Sequence, residues 1–123
     1  MFQIKINYKR NALLNVMNGR IDAEEARNLV KKFREGVDKL RPGFVVITDI
    51  TDFVPTTEDV RNILRDATRY AVKNGLSRSI RIVSDNLTSS IGSIQFNRTE
   101  KSLGCNAEIV TSLAQAKKVL GWK

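Results

Sequence analysis

Phe44-Val45-Val46-Ile47-Thr48-Asp49-Ile50-Thr51-Asp52-Phe53-Val54-Pro55-Thr56-Thr57-Glu58-Asp59 is the stretch that decides how this chain folds. Phe44 to Ile47 is an unbroken apolar and β-branched run, the pattern of a strand covered on both faces in the middle of a parallel sheet. Asp49 and Asp52 then turn the chain polar, and the paired hydroxyls of Thr56 and Thr57 precede Glu58 and Asp59. Such a segment opens a helix, with a hydroxyl cap and first-turn acids against the positive end of the dipole. The bend from Asp49 to Thr57 is therefore expected outside the carboxyl end of a central strand, where open α/β sheets gather ligands and partners.

Working outward, the helix after the bend repeats Val60, Ile63, Leu64, Ala67 and Ala71 on one face and closes at Asn74-Gly75. Upstream, Asp22 followed by Glu25 resembles a capping box, and Ala26, Leu29, Val30, Phe33, Val37 and Leu40 recur at helical spacing. This predicts a first helix from Ala23 to Leu40, ended by Arg41-Pro42-Gly43. Gly36 inside it costs about 1 kcal/mol relative to alanine, which a packed apolar stripe outweighs. Phe2, Ile4 and Ile6 share a strand face, and a polar turn near Lys9-Arg10-Asn11 leads to a second strand, Ala12 to Met17, giving an opening hairpin. Downstream follow a strand at Ser79 to Val83, a weaker helical segment within Thr88 to Leu103, a short strand Ala107 to Val110, and a helix capped by Thr111 or Ser112 and ended by Gly121.

The resulting order, β-β-α-β-α-β-α-β-α, implies an α/β fold: an N-terminal β-hairpin followed by alternating helices and mainly parallel strands. No repeat, linker or low-complexity tract interrupts it, so residues 1–123 are expected to form one domain. The single cysteine, Cys105, and the absence of histidine exclude an intramolecular disulfide, a Cys/His zinc site and a Ser-His-Asp triad. No apolar run has the length of a membrane span and the N-terminus alternates instead of forming a signal segment, so a cytoplasmic location is expected. The net charge of +8 is unevenly placed, with ten Lys and Arg against nine Asp and Glu through Val60 and eleven against four from Arg61 onward. Solubility is its plainest consequence.

With these elements in place, the whole chain resembles a STAS-type domain, more narrowly the SpoIIAA-like branch of small stand-alone, anti-sigma-factor-antagonist-like proteins. The similarity lies in the element order, in Met17-Asn18-Gly19-Arg20-Ile21-Asp22-Ala23-Glu24-Glu25-Ala26 before the first helix, and in Asp49-Ile50-Thr51-Asp52-Phe53 before the second. The resemblance implies a SpoIIAA-like fold and a non-catalytic regulatory module, without cofactor or metal, that docks a protein partner. In phosphoregulated members an aspartate and two serines begin the second helix, and a partner kinase that is also an anti-sigma factor phosphorylates one serine. The corresponding positions here are Pro55, Thr56 and Thr57, which makes Thr57 the implied phosphoacceptor, with Thr56 beside it. The partner-binding loop would comprise Asp49, Asp52, Phe53, Pro55 and Glu58. The chain departs from that pattern in having Pro55 for the acid, Glu58 for a small residue, and threonines for both serines.

Other constellations compete with this reading. Asp49, Asp52 and Asp85 each follow an expected strand and together have the donors for magnesium, but also the character of turn residues that accept backbone hydrogen bonds. Arg61, Arg65, Arg69 and Lys73, spaced by four on the second helix, form an expected basic ridge for nucleic-acid phosphates or anionic lipid headgroups, or simply a solvated helix face. Asn86-Leu87-Thr88 and Asn97-Arg98-Thr99 match glycosylation sequons and read as turn residues. Trp122 and Val72 offer apolar surface for a homodimer contact, or in the case of Trp122 a lid on the core.

Overall fold

The computed structural model describes residues 1–54, 56–84 and 107–122. Alternation in Phe2–Asn7 (β1) and Ala12–Gly19 (β2) builds an antiparallel hairpin in which Phe2, Ile4 and Ile6 pair with Met17, Asn15 and Leu13. At its turn Asn11 adopts φ 52°, a left-handed conformation that Asn tolerates better than most residues. Its side-chain amide donates to the Arg41 carbonyl at 3.0 Å, and its Oδ1 accepts from the Arg41 N–H at 2.9 Å, tying the hairpin turn to the far end of the first helix.

That helix, Ala23–Asp38 (α1), begins where Asp22 Oδ1 accepts the Glu25 N–H at 2.8 Å. It buries Ala26, Leu29, Val30, Phe33 and Val37. Gly36 lets the hairpin approach closely, since a Cβ there would lie 2.9 Å from the Cδ1 atoms of both Ile6 and Leu13 and these side-chain ends would have to shift. The helix stops two residues before the expected Leu40, because the N–H groups of Lys39 and Leu40 turn back to Gly36 and Val37 in a tightened last turn.

Val45–Phe53 (β3), Arg78–Ile82 (β4) and Ala107–Val110 (β5) complete a five-stranded sheet in the order β1-β2-β3-β4-β5, parallel except for the first pair. Glu58–Lys73 (α2) joins β3 to β4 and packs beside α1 over one core, which includes Leu13, Phe33, Ile50, Phe53 and Leu64. The two helices are further clamped by the Tyr70 hydroxyl, which donates to Asp38 Oδ1, and by the Arg34 guanidinium 4.4 Å from the Tyr70 ring. Leu113–Val119 (α3), capped by Ser112, lies over a second core of Ile47, Ile80, Ile82 and Val110. β4 and β5 are bridged by a two-bond fork, Arg78 Nε to Glu108 Oε2 at 2.9 Å and Nη2 to Oε1 at 2.6 Å.

The main difference from the expected layout is the length of β3. The acidic stretch is not a bend after a short strand: pairing with β2 continues to Gly19↔Phe53, so Asp49 and Asp52 lie within β3. Between the pairs Val16↔Asp49 and Asn18↔Asp52 the register gains one residue on β3. In a regular strand residues three apart face opposite ways. The extra residue re-phases β3 so that Ile50, 0% exposed, and Phe53, 1% exposed, both enter the core under α1 and α2. The expected helical segment at Thr88 to Leu103, the two sequons, Cys105, Asp85 and Pro55 lie outside the described residues. No helix among the described residues is long and apolar enough to cross a membrane.

Candidate functional site

The irregularity in β3 carries its own hydrogen bonds. Asp49 Oδ1 accepts from the Thr51 N–H at 3.0 Å and from the Thr51 hydroxyl at 2.6 Å. An aspartate that captures the backbone two residues on is an Asx-type turn, and here it supports the extra residue of the strand. Asp49 is half-buried and engaged in this way, while Asp52 is exposed. Beyond Phe53 the chain is held to the start of α1: the Val54 N–H donates to the Gly19 carbonyl at 3.0 Å, and the Thr56 hydroxyl donates to the Ile21 carbonyl at 3.5 Å.

Thr57 is the N-cap of α2, with extended backbone and a side-chain oxygen that accepts the Val60 N–H at 3.4 Å. It is exposed, as are Glu58 and Asp59 in the first turn. The carboxyl edge of the sheet thus gathers three capped helix starts, Asp22 for α1, Thr57 for α2 and Ser112 for α3. Of the expected loop residues, Asp52, Thr57 and Glu58 stand at the surface, Thr56 is half-buried between the starts of α1 and α2, and Pro55 lies outside the described residues. Phe53 is corrected: it is a core residue under α2 that supports the loop from below and offers no surface to a partner.

Two other constellations also change. Asp49 is committed to Thr51, and Asp85 lies outside the described residues; among the described residues no three His, Cys, Asp or Glu side chains form a metal-holding group. The basic ridge is not one solvated row. Arg61 and Arg65 are half-buried with their Nε atoms enclosed, Arg69 pairs with Asp66 at 2.9 Å, and Lys73 is exposed at the end of α2. A spacing of four overshoots the helical repeat of 3.6, so the direction rotates by about 120° from the first to the last of these four side chains. Trp122 is half-buried against the second core, with the Arg10 guanidinium 5.4 Å from its ring, while Val72 is exposed.

The sequence reading missed the role of Thr51. Its signal was present in the Asp49-x-Thr51 spacing, which suits side-chain capture of the backbone. It also missed Gly19 and Ile21, whose carbonyls anchor the loop and whose part depends on pairing between β2 and β3.

No family model and no curated protein matches the sequence. Solved structures do. A protein of the DUF3478 family with a SpoIIAA-like fold from Shewanella loihica PV-4 superimposes with a TM-score of 0.67 at 14% identity, over 97% of this chain and 93% of that one. The anti-sigma factor antagonist SpoIIAA in its unphosphorylated form gives 0.62 at 14% identity, over 98% and 99%. The Bacillus cell fate determinant SpoIIAA in its phosphorylated form gives 0.58 at 15% identity, over 97% and 99%. Full-length superposition joined to the hairpin-then-alternating order of the elements identifies the architecture: the chain has a SpoIIAA-like fold.

Proposed function

We propose that this chain is a non-catalytic regulatory module of the cytoplasm that docks a protein partner, a kinase or an anti-sigma-like factor, through the loop between β3 and α2, and that phosphorylation of Thr57 alters the docking. The observation that carries this reading is the exposed residue Thr57 at the start of α2, with Glu58 and Asp59 exposed behind it and Asp52 exposed on the strand before. The likeness in fold to SpoIIAA, a protein determined in both unphosphorylated and phosphorylated forms, supports the same reading.

A phosphoryl group on Thr57 adds a charge of about −1.5 to −2 and strong acceptor oxygens at a helix N-terminus, where free N–H groups and the dipole favour an anion. Glu58 and Asp59 oppose it, so the modified loop is a concentrated negative patch. Its contrast with the unmodified loop is what a partner reads. A basic-face reading, with nucleic acid or anionic lipid as partner, is weakened by the half-burial of Arg61 and Arg65 and the pairing of Arg69 with Asp66.

The test is phosphopeptide mapping of protein from its native cell, with parallel affinity capture by wild type, T57A and T57E and with R69E as the control for the basic face. Thr57 phosphate is expected in at least one growth state, together with a partner whose yield changes with T57E and is unaffected by R69E. An unmodified Thr57 in every growth state, with identical capture by all four proteins, overturns the proposal.

A further inference from the structure

Among the described residues, the sheet face opposite α1 and α2 has an unfilled flank. Pairing of Lys5 with Leu14 and of Leu14 with Ile47 aligns these residues on the face that α3 covers, and α3 seals its far side by burying Ala116 among Ile47, Ile80, Ile82 and Val110. Toward the hairpin it leaves a groove of about 410 Å³, floored by Ala12, Leu14 and Ile47 and walled by Leu113, Lys117 and Trp122. That volume falls within the range of small-molecule sites, about 300–1,000 Å³. Leu113 is 39% exposed at its edge, so apolar surface remains in water. The groove lies toward the amino end of β2, away from the Thr57 loop, which follows the strand end paired with Gly19.

Among the described residues the charged groups that line this groove have one sign. Lys5 and Lys117 line it, no described Asp or Glu does, and the Arg10 guanidinium sits 5.4 Å from the ring of Trp122 in its wall. An apolar floor between ammonium groups complements a molecule with an alkyl body and an anionic head, whose chain gains by leaving water. We infer that this groove binds a single-chain amphiphilic anion, with a fatty-acid carboxylate held between Lys5 and Lys117 and its chain along Leu14, Ile47 and Leu113. Each cation contributes a charge-assisted hydrogen bond and keeps its long side chain over apolar surface with the head in water.

Trp122 is the only tryptophan in the chain, so its emission reports on the groove directly. Dodecanoate, titrated below its micellar range at neutral pH, is expected to give a saturable change in Trp122 fluorescence, with dodecanol binding about tenfold or more weakly. The Lys5→Glu, Lys117→Glu double variant is expected to weaken dodecanoate about tenfold or more. Leu113→Glu, at an exposed position, is expected to abolish the response with an unchanged circular-dichroism melt. No saturable change, an equal response to dodecanol, or full binding by the folded variants overturns the inference. So does sedimentation showing that Trp122 is shielded by a second copy of the chain instead. None of these outcomes depends on Thr57.

Discussion

Thr57 caps α2 and is also the proposed modification site, and substitution separates the two roles. Alanine removes the oxygen that accepts the Val60 N–H. Loss of a threonine cap typically costs about 0.5–2 kcal/mol. At 3.4 Å this bond is longer than an ordinary N–H···O bond, so the low end applies, about 0.5–1 kcal/mol. With an unfolding entropy of about 2.1 cal/mol/K per residue, that corresponds to a fall in Tm of about 2–4 °C. Aspartate retains an acceptor at the cap and adds charge at the positive end of the dipole, while Glu58 and Asp59 repel it; T57D is expected within about 0.5 kcal/mol of wild type. Urea and thermal unfolding followed by circular dichroism measure both. A T57A transition superimposable on wild type, or a T57D transition as low as that of T57A, refutes the capping assignment. If capping holds, a partner that discriminates T57D from wild type responds to charge, since the fold is equally stable in both.

Phe53→Ala should destabilise by about 3–5 kcal/mol, the cost of emptying a buried aromatic site, whereas Asp52→Ala next to it should stay within about 0.5 kcal/mol in the same urea titration. Comparable costs at the two positions would contradict the re-phasing of β3. Gly75→Ala should cost more than Gly19→Ala by equilibrium unfolding: both have positive φ, but a Cβ at Gly75 would lie 2.9 Å from Pro42 Cα, and one at Gly19 meets nothing within 4 Å. The Arg78 fork hydrogen-bonds to Glu108 and holds its carboxyl below the usual carboxylate range. Its contribution is therefore complete above the ordinary glutamate value of about 4.3 and is lost as pH falls through the lower folded value. Both side chains are partly exposed, so a double-mutant cycle at pH 7 should give at most about 1 kcal/mol, vanishing in strong acid; a coupling that grows on acidification would refute the assignment.

Much of the fold was legible because its signals are local. The caps at Asp22 and Thr57 and the strand Ala107–Val110 stand where spacing and residue type indicate, since a cap involves only the next three residues and a strand's alternation only its own side chains. Less of the candidate site could be read this way. Thr57 at the helix start was evident from sequence, but Phe53 looked like a loop residue because the added residue that turns it inward is defined by pairing with β2, and the local Asp49-x-Thr51 spacing alone suits an ordinary turn as well. Arg61 and Arg65 look solvated from sequence because a four-residue spacing resembles one straight row, whereas the repeat of about 3.6 residues turns it around the helix.

By itself the sequence determined the order of the described elements, the hydroxyl-capped start of α2, and the exclusion of chemistry that needs histidine or paired cysteines. Only the tertiary structure decided that β3 runs through the acidic stretch, that Phe53 is core, and that α3 leaves a cation-flanked groove beside the hairpin. The reason is the range of the interactions involved. Capping and periodicity act over a few residues, whereas the register of β3 is set by β2, some thirty residues away in sequence, and the groove exists only where hairpin, sheet and α3 meet.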